Sequence, residues 1–277
     1  MSGVLAGLHW RHAAVPLGVV AAAAIAVSIW AGIGPVAMAA GEALTVGGLI
    51  VLLWLLVAGP LALRGGRAAM VALLVVGLLF FVNLVGLSLP RTGFFSGLDW
   101  NWQGKTVDLV WCLLLVALLG RAQRQEIGWT WQTRPGSLPL AFINIAILAA
   151  AGFLLGGTGQ VLTPERVLFD TTYPNLVEEI VFRGFMLALL DRAFPPGWTV
   201  SGARIGWGVV LTAWLFGLAH GVAITPDGIV FDPGWLAITF VAGLVFGWIR
   251  ALTGSLWPAF LAHCAPEIGV LIAIALR

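Results

Sequence analysis

Asn175-Leu176-Val177-Glu178-Glu179-Ile180-Val181-Phe182-Arg183-Gly184-Phe185-Met186-Leu187-Ala188-Leu189-Leu190 places two carboxylates and a guanidinium inside an otherwise apolar run. Whether that run lies in a soluble core or in a bilayer decides the fold. The chain has 277 residues, of which 60% are hydrophobic and 9% charged, with a mean hydropathy of +1.02. Soluble domains carry about 25% charged residues, so this composition is that of a membrane protein. A bilayer core takes about 20 apolar residues per helix, and such runs lie near 13–34, 44–63, 68–89, 106–120, 139–157, 175–190, 205–224, 234–253 and 255–276. They predict an all-α polytopic transmembrane bundle of eight to nine spans, about nine by this division.

The 36 glycines suit close helix contact where lipid supplies no hydrophobic drive for association. The longest connection, 158–174, is too short to fold alone. Cys112 and Cys264 fall within predicted spans without CxxC spacing, which argues against a disulfide framework or a cysteine metal site. A net charge of +2, with dispersed basic residues, gives no footprint for nucleic acid. The expected surroundings are membrane lipids. Arg11 and His12 precede an apolar run ending at Ala37-Met38-Ala39; the run is long for a signal core and reads as an uncleaved anchor.

Basic loops stay in the cytoplasm. With the N-terminus inside, that side holds Arg11, Arg64, Arg67, Arg121, Arg124, Arg134, Arg192, Arg204 and Arg250. The opposite side holds Arg91, Lys105, Arg166 and Arg277, together with Asp99, Glu165, Asp170, Asp227 and Asp232. The distribution predicts an N-in, C-out chain in the cytoplasmic membrane of a bacterium. Trp100, Trp102, Trp129 and Trp131 cluster at span ends, as interfacial anchors do.

Ionisable groups at membrane depth are costly and usually mark function. The set read from the spans is Glu178, Glu179, Arg183, His220, His263 and Glu267. Glu179 and Arg183 are four residues and about 40° apart on a helix, close enough to pair. Glu178 is about 140° from Arg183, which leaves it free for chemistry. The plainer alternatives are one interior ion network for the first three, an interfacial role for His220, and a carbonyl-bonded core histidine for His263. His263 and Glu267, four residues apart, share a helix face. A desolvated glutamate beside a histidine can hold and deprotonate water for attack on a peptide carbonyl, and a second histidine can stabilise the oxyanion.

Glu178-Glu179-x-x-x-Arg183, Phe216-x-x-x-His220 and the later His263 resemble the three motifs of the CPBP (CAAX protease and bacteriocin-processing, or Abi) intramembrane peptidases. The resemblance covers residues 139–277, a catalytic transmembrane core; residues 1–138 form a four-span region without a recognised motif. It implies that Glu178 and His220 activate water, Arg183 holds Glu179, and His263 helps form the oxyanion site. Family members carry Asn or Asp four residues after that histidine, where this chain has Glu267, a carboxylate that donates a hydrogen bond only when protonated.

The resemblance implies an endopeptidase acting on a membrane-anchored or membrane-inserting protein or peptide, such as a peptide precursor or the sorting tail of an exported protein. A non-enzymatic immunity or accessory protein is the alternative, followed by a proton-coupled transporter, against which stands the lack of repeat symmetry. No cofactor is expected. The zinc alternative would draw on Glu178, His220, His263 and Glu267, without an HExxH motif. Counted from span ends, Glu178 lies about 5 Å deep, His220 about 6 Å and His263 about 20 Å, with the first two nearest the extracytoplasmic side.

Overall fold

The structure, a computed structural model, describes residues 10–156, 161–225 and 228–276. Asp227, Arg277, residues 158–160 of the long connection and the side chain of Arg11 lie outside the described residues.

The chain is a helical membrane protein. Its helices are α1 (Trp10–Ala31), α2 (Ile33–Ser88), α3 (Trp102–Leu118), α4 (Arg121–Glu126), α5 (Leu138–Leu155), α6 (Pro164–Thr171), α7 (Tyr173–Glu179), α8 (Leu187–Ala193), α9 (Trp207–Gly221), α10 (Pro233–Thr253) and α11 (Leu256–Leu276). A π-helical stretch, Ile180–Met186, joins α7 to α8. A 3-10 helix, Gly93–Gly97, and two antiparallel hairpins are the other regular elements among the described residues: β1 (Trp198–Val200) with β2 (Ala203–Ile205), and β3 (Val222–Thr225) with β4 (Gly228–Phe231).

Among the described residues five helices are long and apolar enough to cross a membrane: α1, α2, α5, α10 and α11. The difference from the sequence count has local causes. The runs 44–63 and 68–89 fall in one assigned helix, broken at Gly66, whose φ of 75° only glycine adopts without strain. Its two arms fold back on each other, and a Cβ at Gly47 would sit 2.9 Å from the Phe81 ring. The run at 175–190 is divided by the π-helical stretch. The run at 205–224 ends early, because Gly221 closes α9 and Val222–Thr225 turns into a strand. The 158–174 connection is also not a bare loop, since Thr163 caps α6 by accepting the Arg166 amide.

Small residues set the closest crossings. A Cβ on Gly152 would lie 2.0 Å from the Pro266 carbonyl oxygen, and one on Gly269 would lie 2.0 Å from that of Ala149, so α5 and α11 touch backbone to backbone. The core joins both halves of the chain. Trp54 on α2 is fully buried and its Nε1 donates to the Leu211 carbonyl on α9 at 2.9 Å.

Candidate active site

The helix periodicity of Glu179 and Arg183 is realised in full. Arg183 Nη1 donates to Glu179 Oε1 at 2.9 Å, and neither side chain has any exposed surface. Three rings enclose the guanidinium: Phe216 at 4.3 Å, Phe246 at 5.1 Å and Phe182 at 5.7 Å from centroid to Cζ. Desolvated cation–π contacts of this kind are worth about 2 kcal/mol. Gly243 makes the room, since a Cβ there would lie 3.2 Å from Arg183 Nη2 and 3.0 Å from the Ala213 Cα.

His263 comes from α11 to the same carboxylate. Its Nδ1 donates to Glu179 Oε1 at 2.8 Å, while Nε2 lies 3.7 Å from Glu178 Oε2. Its ring stacks on Phe246 at 4.9 Å and meets Phe216 edge-on at 5.7 Å. The carbonyl-bonded alternative for His263 is therefore replaced by a bridge between the two glutamates. The offset in depth expected between the glutamates and His263 is not found. Glu179 contacts His263, and Asn175 Nδ2 lies 3.6 Å from Cys264 Sγ, so α7 sits level with the middle of α11 and not near its end. The short α6, packed on α11, fills the remaining length.

His220 occupies the rim. It is exposed, and its Nδ1 donates to the Phe216 carbonyl at 2.8 Å, which leaves Nε2 as an acceptor in the neutral ring. Phe216 connects it to the interior, with ring centroids 4.3 Å apart. Glu267, half-buried one turn beyond His263, joins none of these bonds.

Glu178 differs most from expectation. It is not free, because Lys105 Nζ on α3 donates to its Oε1 in an ion pair whose side chains are 8% and 19% exposed. Its Oε2 accepts no hydrogen bond. Starting the span at 106 put Lys105 in an outer loop. In fact α3 begins at Trp102, with Asn101 accepting the Gly104 amide, so Lys105 lies in its first turn. Asp108, three residues on, is fully buried, accepting from Asn83 Nδ2 and Trp111 Nε1 at 2.7 Å each. The Lys-x-x-Asp spacing at the mouth of an apolar run was the available signal for both residues.

As for a metal, no group of three or more His, Cys, Asp or Glu among the described residues is arranged to hold one. No step is therefore derived through a metal at Glu178, His220, His263 and Glu267.

A glutamate pair braced by an arginine and a histidine thus lies inside a helical membrane chain. Residues 160–268 match the family described as Type II CAAX prenyl endopeptidase Rce1-like. The chain thus carries a domain of this CPBP (Abi) family and is an intramembrane protease. No curated protein and no solved structure matches it.

Proposed function

We propose that the protein is an endopeptidase that hydrolyses a peptide bond in a membrane-embedded or membrane-adjacent segment, with water activated by Glu178 and His220. The observation that carries this reading is the unbonded Oε2 of Glu178, 3.7 Å from His263 Nε2. Glu178 takes a proton from the water as the oxygen attacks the carbonyl carbon. His220 accepts the second water hydrogen at Nε2 and so aims the oxygen lone pair. Collapse of the tetrahedral intermediate breaks the C–N bond, and Glu178 returns its proton to the leaving amine.

Glu179 and Arg183 do not touch substrate in this scheme; they hold His263 by its Nδ1. As the imidazolium, protonated on Nε2 as well as on the Nδ1 held by Glu179, His263 donates to the developing oxyanion. Glu267 forms the wall beyond it. No metal takes part. Both arms of α2, the α7–α8 rod, α3 and α9 cross the bilayer along with the long helices, giving nine spans. The N-terminus is inside and the site opens outward, in the cytoplasmic membrane of a bacterium. That orientation favours sorting tails of exported proteins or peptide precursors over cytosolic prenylated proteins.

The deciding experiment is proteolysis by purified Glu178→Ala and His220→Ala. Both should insert and fold yet release no product. Turnover at the wild-type rate by either one sinks the mechanism.

A further inference from the structure

A domain matched over residues 160–268 invites the view that the active site is contained in it. The ion pair on Glu178 says otherwise. Lys105 is 7% exposed and comes from α3, outside the matched residues. A lysine buried to this degree is tolerated only with a partner, and here the partner is the carboxylate assigned to water activation.

Two further contacts set α3 against this part of the chain. Thr106 Oγ1 and Tyr173 Oη are 2.8 Å apart at the head of α7, and Trp102 Nε1 donates to Glu165 on α6 at 3.1 Å. Behind Lys105 stands Asp108, fully buried and anchored to Asn83 on α2. The sequence of contacts therefore runs from α2 through α3 to the tip of Glu178. An anchorage of this kind has a consequence for chemistry. With Oε1 taken by the ammonium, one carboxylate oxygen is left without a hydrogen bond, Oε2, 3.7 Å from His263 Nε2.

We propose that Lys105 is a positioning residue for the hydrolysis: it orients Glu178 and supplies its counter-charge, so that helices outside the family domain complete the active site. This rests on the reading of Glu178 as the base. It assigns α2 and α3 a part in the reaction beyond packing.

The test uses the purified full-length chain and a fluorogenic apolar peptide, chosen from a peptide library because wild type cleaves it. Lys105→Met should lower kcat about 100-fold while KM stays within about threefold, the pattern of a misaligned reacting group. Lys105→Arg, which keeps the cation in another shape, should fall between. Ethylammonium should raise the rate of Lys105→Ala and leave Glu178→Ala inert, a rescue that a packing role would not produce. Wild-type kcat in Lys105→Met, or a loss confined to KM, overturns the inference while leaving Glu178 as the base. Activity in Glu178→Ala overturns the functional reading itself. Should Lys105→Met fail to fold, Lys105→Arg decides the kinetics, wild-type kcat there counting against the proposal. Recovery of folding in Lys105→Met/Glu178→Gln then supports the pairing, and its failure opposes it.

Discussion

Glu179 Oε1 lies 2.8 Å from His263 Nδ1, joining residues 84 positions apart, and the same oxygen accepts from Arg183. One buried carboxylate oxygen thus ties the glutamate helix to α11. Carboxylate–histidine contacts of this kind orient the ring and select which nitrogen carries the proton. The arrangement gives Arg183 and Glu179 a task distinct from that of Glu178.

Removing Arg183 leaves Glu179 charged and unpaired in a dry interior. Arg183→Met should cost about 3–5 kcal/mol of stability, the usual penalty for breaking a buried pair from one side. Arg183→Met combined with Glu179→Leu should recover most of that loss without recovering proteolysis, because His263 then has no holder. Thermal unfolding in detergent checks the pair of variants. Equal stability of Arg183→Met and wild type would contradict it.

The contact of α3 with α6 should be acid-sensitive. Glu165 is lightly desolvated, which raises its pKa, but hydrogen bonds from the Trp100 and Asp99 amides and from Trp102 Nε1, with Arg91 nearby, outweigh this and hold it below 4.5. A folded-state pKa below the unfolded one stabilises at higher pH and is lost as pH falls through it. Wild type should therefore exceed Glu165→Gln in melting temperature near neutrality, and the difference should vanish on acidification well below 4.5. A difference that persists in acid would show that the carboxylate charge is not what matters.

Metal dependence separates the proposed mechanism from a zinc enzyme. Dialysis against a strong chelator should leave cleavage of a fluorogenic peptide unchanged. Loss of activity, restored by zinc present in stoichiometric amount, would replace the glutamate mechanism.

Orientation can be read with two cysteines in a background lacking the buried Cys112 and Cys264. Leu162 and Ile229 are 42% and 54% exposed. Leu162→Cys and Ile229→Cys should each react with an impermeant thiol reagent in intact cells. Reaction only after the membrane is broken would place the site on the cytoplasmic face and bring cytosolic substrates forward.

Much of the fold was legible in composition, because hydrophobicity over about 20 residues is a property of the segment itself. Span ends were less so. Hydropathy places Lys105 in a loop, although Lys105 and Asp108 are both buried in the first two turns of α3. The strand at Val222–Thr225 is as apolar as a helix end and gave no warning; its hairpin partner, Gly228–Phe231, decides its conformation.

The sequence by itself determined that this is a helical membrane chain, and that Glu179 and Arg183 can pair, because contacts along a single helix follow from a repeat of 3.6 residues per turn. It also marked Glu178, His220 and His263 as groups whose burial needs a reason. Only the tertiary structure decided that Lys105 takes Glu178 across 73 residues, that His263 takes Glu179, and that the glutamates lie level with the middle of α11. Those relations depend on how each helix is rotated and shifted against its neighbours. That is set by glycine crossings such as Gly152 on Pro266 and Gly269 on Ala149, where backbones meet and no periodicity within one segment records the partner.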